Sequence, residues 1–305
     1  MIKKAFITGI NGFVGPYLQK YLEEKNIEVY GADRTSCDEQ KTFCLDILDK
    51  KKLTEIINKT KPNVIFHLAG LSSPAQSFKQ PELTMKINVE GTRNLFEAAS
   101  ALNPPPKIII ISSSHVYGKP TKSPIDETEP LKSDSPYAES RIEQEKLAKE
   151  YPSIPCVIMR SFNHIGPNQT EEFVVPAFAK QIIEIKKGLT KPVIETGNLE
   201  AIRDFSDVRD IVRGYYLAAT KGKPGEIYNI GSRNGYKIED ILDKLINLAK
   251  IEVTHKLDPK RLRPSDIPEL ICDYSKFSHD TEWKPEYTID DTLTGILNYW
   301  DKQIS

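Results

Sequence analysis

The sequence predicts an α/β protein built on a doubly wound parallel sheet, with a smaller mixed α/β lobe towards its C-terminal end. Three observations carry that expectation. Short β-branched runs alternate with longer helical patterns through the first half of the chain. The run "IIII" (108–111) is apolar at successive positions, as in a strand buried on both faces of a parallel sheet. Glycines 9, 12 and 15 separate the first strand from the first helix, where a tight turn is needed.

The elements follow in order. "KAFITG" (4–9) reads as the first strand and "GPYLQKYLEEK" (15–25) as the first helix. Strands "EVYGAD" (28–33) and "TFCLD" (42–46) precede the helix "KKLTEIINKT" (51–60). "VIFHLAG" (64–70) is the fourth strand, and "PELTMKINVEGTRNLFEAASAL" (81–102) is one long helix. "KIIIISS" (107–113), a helix opened by Pro136 and "CVIMRSF" (156–162) complete this half. The rhythm loosens after residue 165. Helix 173–188, strand 192–197, helix 207–220, strand 226–231, helix 238–250 and a helix ending near Tyr299–Trp300 follow. The expected division is therefore residues 1–165 for the sheet domain and 166–305 for the second lobe. Elements from about 203–235 are expected to return to the first domain.

Placed between a strand and a helix, "TGINGFVG" (8–15) is a dinucleotide-binding turn of Rossmann type. Gly9, Gly12 and Gly15 let the backbone approach closely, and the helix N-terminus offers unpaired N–H groups to a pyrophosphate. Asn11, Phe13 and Val14 lie in the same turn. Asp33 ends the second strand, where an acid binds the adenosine ribose and repels a 2′-phosphate. NAD(H) is thus favoured over NADP(H), although the neighbouring Arg34 would attract such a phosphate. Asp46 and Ile47 end the third strand near the adenine, and Leu68, Ala69 and Gly70 should pass beneath the cofactor. His67, inside an apolar strand, reads as a hydrogen-bonded core histidine.

Composition narrows the partners. The net charge of −1 provides no basic field for nucleic acid or anionic membrane. No apolar run approaches a membrane span, and the first strand begins too early for a leader, so a cytoplasmic protein is expected. Cys37, Cys44, Cys156 and Cys272 show no metal-binding spacing and are expected to be reduced, with no metal site.

"SPYAESRIEQE" (135–145) places Tyr137 and Arg141 four residues apart on one helical face. A cation about 4 Å from a phenol, in an effective dielectric near 20, stabilises its anion by on the order of 4 kcal/mol. That makes Tyr137 a proton donor and acceptor. The competing role for Arg141 is an ion pair with Glu145, one turn on.

Together with "HLAG", "NVEGTRNL" (88–95), "SSSHVYG" (112–118) and "RSFNHIGPNQ" (160–169), these residues resemble the extended short-chain dehydrogenase/reductase family, which modifies nucleotide sugars. "FVVPAFAKQI", "TGNLEAIRDFSDVRDIV" (196–212) and "RLRPSDIP" (261–268) resemble its GDP-mannose branch. The resemblance implies a catalytic set of Ser113, Tyr137 and Arg141, with arginine where the family has lysine. Guanidinium keeps the charge but does not release a proton, so a slowed catalyst with intact cofactor binding is expected. Ser114 and His115 stand where the branch's dehydratases carry a carboxylate, which favours reduction over dehydration. For the substrate, the resemblance implies contacts from Ser114, His115, Asn163, Phe173, Val174, Lys180, Asn198, Arg203, Arg263 and Asp266. Arg209 and Arg213 read as a charged helix face.

The expected reaction is NAD(P)H-dependent reduction of GDP-4-keto-6-deoxy-D-mannose at C4, giving GDP-D-rhamnose. The alternatives are a GDP-mannose 4,6-dehydratase, a nucleotide-sugar epimerase, or a nucleotide-sugar-binding protein impaired by Arg141. A homodimer is implied, formed through the helices flanking the active site.

Overall fold

The computed structural model describes residues 2–35, 37–38, 40–262 and 267–304. The first half comprises β1 (Lys4–Thr8), α1 (Gly15–Glu24), β2 (Glu28–Asp33), β3 (Thr42–Cys44), α2 (Lys50–Thr60) and β4 (Val64–His67). Helices α3 (Pro74–Lys79), α4 (Pro81–Met85) and α5 (Gly91–Ser100) come next. Then follow β5 (Lys107–Ser113), α6 (Pro136–Glu150), β6 (Cys156–Ser161) and β7 (Asn163–Ile165). The second half carries α7 (Val174–Lys186), β8 (Val193–Thr196), β9 (Ile202–Asp207), α8 (Val208–Thr220) and β10 (Ile227–Ile230). It ends with β11 (Gly235–Lys237), α9 (Ile238–Ala249), β12 (Thr254–Leu257), β13 (Glu269–Leu270), α10 (Ser275–Thr281) and α11 (Ile289–Gln303).

Seven strands form one parallel sheet in the order β10-β6-β5-β4-β1-β2-β3. Strands β4 and β6 are buried at every residue, as their unbroken apolar patterning requires. On one face, Leu18 and Leu22 of α1 and Ile211 and Tyr215 of α8 pack against Ile7, Val29 and Met159. On the other, Leu53 and Ile57 of α2 and Leu95 and Phe96 of α5 cover Phe6, Ile65 and Ile108. From β1 the chain first builds outward to β2 and β3, then returns to β4 on the other side. The crevice beyond the carboxyl ends of β1 and β4 is therefore the switch point, where ligands bind in such sheets.

A smaller sheet of β11, β9 and β13, joined by β7, and the pair β8–β12 lie outside this layer. Their core is a third cluster, with Phe178 and Ile182 of α7 against Ile241 and Leu245 of α9 and Leu293 of α11.

Two expectations need correction. The helix expected over 81–102 is α4 and α5 joined by a π-helical turn, Lys86–Glu90, which buries Asn88. Cys37 and Cys44 are not reduced but form a disulfide. The loop after β2 folds back along β3 and brings their Cα atoms to 5.3 Å, within reach of a bridge. Cys156 and Cys272 are buried thiols, and burial pushes Cys156 up to about 12. Among the described residues, no helix is long and apolar enough to cross a membrane.

Candidate active site

A cavity of about 410 Å³ opens at the switch point. One end is made by the glycine turn and the tips of β2 and β3. Gly9 adopts φ +71°, and its N–H donates to Ala32 O at 2.7 Å. A Cβ on Gly15 would stand 2.1 Å from Ile10 O, so only glycine permits this close packing. Helix α1 has no side-chain cap at Val14, and Phe13, Val14 and Gly15 border the cavity. That opening suits a pyrophosphate. Asp33, Arg34, Asp46 and Ile47 border the same end. The Asp33 carboxylate accepts the N–H groups of Arg34 (2.7 Å) and Asn11 (3.2 Å). Asn11 thus supports the turn without bordering the cavity, its side chain donating to Thr35 O at 2.7 Å. Leu68, Ala69 and Gly70 form the floor.

The other end gathers Ser113, His115, Tyr137 and Arg141, with Asn163, Phe173 and Val174 opposite. Strand β5 delivers Ser113, whose Oγ accepts the His115 N–H at 3.2 Å and keeps its own proton to donate. The His115 ring stands edge-on to Tyr137, centroids 5.9 Å apart. Helix α6 starts at Ser135, whose Oγ accepts from Ala138 N at 3.2 Å. Tyr137 is fixed in this first turn by its N–H bond to Ser77 Oγ of α3, 3.1 Å. Arg141 is buried, with its guanidinium carbon 5.3 Å from the centre of the Tyr137 ring.

The ion pair between Arg141 and Glu145 does not form. Arg160 of β6 takes Glu145 in a buried two-pronged pair (3.0 and 2.7 Å). Arg141 instead donates from Nη1 to Gln144 Oε1 (2.8 Å) and Ile111 O (3.2 Å). Gln144 Nε2 donates to Thr92 Oγ1 at 2.8 Å, beside His67 Nε2, also at 2.8 Å. Burial, together with the Arg141 charge, pulls the His67 imidazole down to about 3. His67 is the core histidine its strand implied.

Several expected ligands lie elsewhere. Ser114 is buried beside the cavity but does not border it. Lys180 does not border it either, because Glu171 holds its ammonium at 2.8 Å on the protein surface. Asn198 is exposed and accepts from Glu200 N at 2.9 Å. Arg203 is buried on β9, where Nη1 donates to Ile202 O at 2.8 Å, and is also absent from the lining. Arg263 and Asp266 lie outside the described residues. Arg209 pairs with Asp207 at the end of β9 and Arg213 with Asp210 of α8, and both carboxylates are buried.

Sequence reasoning missed Gln169 and Tyr215, which both border the cavity. Gln169 is buried, and its Oε1 has no partner among the described residues. Tyr215 exchanges a 2.8 Å hydrogen bond with Ser161 Oγ. Gln169 closes a stretch already singled out, "NHIGPNQ", whereas nothing local distinguishes Tyr215 from the apolar residues of its helix.

Comparison with known proteins agrees with this architecture. The family described as GDP-mannose 4,6 dehydratase matches residues 6–296. The GDP-6-deoxy-D-mannose reductase of Pseudomonas aeruginosa is 31% identical over 309 residues, covering 100% of this chain and 99% of that protein. The GDP-mannose 4,6-dehydratase of Vibrio cholerae is 27% identical, covering 97% and 93%. A solved structure of RMD from Pseudomonas aeruginosa complexed with NADPH superposes with a TM-score of 0.89 at 31% identity, covering 99% of this chain and 100% of that one.

Proposed function

The chain belongs to the GDP-mannose 4,6 dehydratase family, and on that premise we propose that it reduces the C4 ketone of GDP-4-keto-6-deoxy-D-mannose to GDP-D-rhamnose. Its extended short-chain dehydrogenase/reductase fold and its relatives make it a nucleotide-sugar enzyme of oxidoreductase type. The observation that carries the finer reading is the absence of a carboxylate at the reacting end. Among the described lining residues the only acids are Asp33 and Asp46, at the tips of β2 and β3. Dehydration needs a base for a sugar C–H proton; reduction needs only hydride and a proton donor.

The residues present fit a nicotinamide dinucleotide: the uncapped α1, the glycine turn and Asp33 suit its adenosine diphosphate half. When bound, the reduced nicotinamide supplies the hydride. Tyr137 gives its phenolic proton to the sugar's C4 oxygen. Ser113 donates a second hydrogen bond to that oxygen, its hydroxyl being oriented by the His115 amide. Arg141 stabilises the phenolate left behind. NAD(H) is our favoured cofactor because Asp33 ends β2 at the glycine-turn end of the cavity, where an acid would bind a ribose and repel a 2′-phosphate, although a relative's structure holds NADPH. Asn163, Phe173 and Val174 wall the sugar-nucleotide side. A second copy of the chain, docked through the helices that flank the site, would complete the enzyme.

A second reading rests on His115. Its ring is close enough to Tyr137 to serve as a base, and a dehydratase is among the relatives. Incubation with NADPH or NADH and freshly made GDP-4-keto-6-deoxy-D-mannose separates the two. Loss of nicotinamide absorbance supports reduction. Product from GDP-mannose without net cofactor use supports dehydration, and binding without turnover indicates an inert module.

A further inference from the structure

We infer that the site is built for arginine, with Gln144 and Gly70 as positioning residues that fit Arg141 beneath Tyr137. The inference rests on the proposed role of Arg141 and specifies what the side chain needs. It also reverses the expectation that arginine handicaps the enzyme.

The hydrogen-bond directions fix Gln144. Thr92 Oγ1 gives its only proton to Asn88 O at 2.6 Å, so towards Gln144 and His67 it acts solely as an acceptor. Gln144 must therefore present its NH2 to Thr92 and its carbonyl to Arg141. His67 carries its proton on Nε2, and its Nδ1 accepts from Thr8 Oγ1 at 2.8 Å. Thr8 Oγ1 in turn accepts the Ala69 N–H at 3.1 Å. Both arms are neutral and converge on Thr92 Oγ1, and the Gln144 arm ends by offering a carbonyl to a cation. A neutral carbonyl holds the guanidinium in place without cancelling its charge, as the expected Glu145 carboxylate would have done.

Gly70 supplies the room. A Cβ there would stand 3.1 Å from Arg141 Nη2 and 2.8 Å from Asn88 Oδ1. Asn88 cannot easily withdraw, because Oδ1 accepts Leu71 N (2.8 Å) while Nδ2 donates to Leu71 O (3.1 Å) and Ser140 Oγ (2.9 Å). Guanidinium is broad and planar, and this gap in the floor accepts its second nitrogen. Arg141 also borders the cavity with a buried Nε that has no partner among the described residues. Lysine ends on a single nitrogen and has no donor at that point of its side chain.

The test is a pair of double-mutant cycles: Gly70→Ala and Gln144→Leu, each made in the parent and in Arg141→Lys. Turnover and NADPH affinity (by nicotinamide fluorescence) are read for every variant, with melting temperature as the folding check. In the parent, each substitution should lower kcat about 10-fold or more with KM nearly unchanged. In the Arg141→Lys background Gln144→Leu should cost less than about 3-fold, since the guanidinium it serves is gone, and Gly70→Ala should keep only the part of its loss that comes from Asn88. Arg141→Lys alone should be slower than the parent. Equal losses in both backgrounds, or an Arg141→Lys enzyme as fast as the parent, would overturn the inference. If no variant turns over the proposed substrate, the function fails, yet the same coupling is read in NADPH affinity. Additive effects there would sink the positioning roles independently.

Discussion

Tyr137 and Asp33 do separable work, and each gives a prediction at the level of one side chain. Tyr137→Phe removes the proposed proton donor but leaves the helix and the cavity wall. Turnover should fall by about 10²–10⁴-fold while NADPH affinity holds within about 3-fold, read by stopped assays and fluorescence titration. Asp33→Asn removes a charge that borders the glycine-turn end of the cavity, where the proposed adenosine ribose would lie. It should move the NADPH-to-NADH affinity ratio about 10-fold towards NADPH, or ~1.4 kcal/mol. An unmoved ratio would place discrimination elsewhere. His67 gives a third prediction, in stability. The unfolded chain protonates this imidazole near the ordinary 6.5, whereas burial and Arg141 keep it neutral in the folded protein down to about 3. The unfolded state therefore binds more protons between those values. The stabilisation is full above about pH 6.5 and is lost as pH falls towards 3, at ~1.4 kcal/mol per pH unit. Half-buried His164, also lowered by desolvation, adds in the same direction. Urea midpoints at about pH 7 and about pH 5.5 should differ less in His67→Gln than in the parent; an equal difference would contradict the neutral assignment.

Helix α6 is the element on which the proposed chemistry stands. Its start was legible because Ser135 and Pro136 form a local cap and first turn. Ser135→Ala should lower stability by about 1 kcal/mol. Because Tyr137 sits in that first turn, kcat should fall as well, with nucleotide affinity unchanged; calorimetry and steady-state kinetics check both. The glycine turn was equally legible, since its spacing and its place between strand and helix are local facts. What Arg141 touches was not. Its i+3 and i+4 neighbours, Gln144 and Glu145, compete for it, and nothing in the helix decides between them. Strand β6 decides, by bringing Arg160 to Glu145. The Ser77 contact to Tyr137 was hidden for the same reason, being 60 residues away. Asn88 opens the singled-out stretch "NVEGTRNL", but its burial was not legible, because a π-helical turn shifts the phase of an otherwise regular helical pattern.

Across the whole molecule, β10 and α8 come from the second half of the chain yet complete the main sheet and one of its faces. The disulfide could not be read from the sequence, because a seven-residue separation signals nothing until two parallel strands fold it back. The buried Arg160–Glu145 pair ties α6 to the sheet, and Arg160 also donates to Tyr117 OH at 3.0 Å. Arg160→Ala would strand a buried carboxylate and should cost on the order of 3–5 kcal/mol in denaturant unfolding. A loss below about 1 kcal/mol would mean that Glu145 finds water or another partner. In the proposed reaction this architecture positions one proton donor against one ketone. The most direct measurement follows nicotinamide oxidation and sugar product together when the protein meets GDP-4-keto-6-deoxy-D-mannose. Equal amounts of oxidised cofactor and GDP-D-rhamnose are expected, both lost in Tyr137→Phe. Conversion of GDP-mannose with no net cofactor change, or no oxidation of either cofactor, would contradict the proposed reaction.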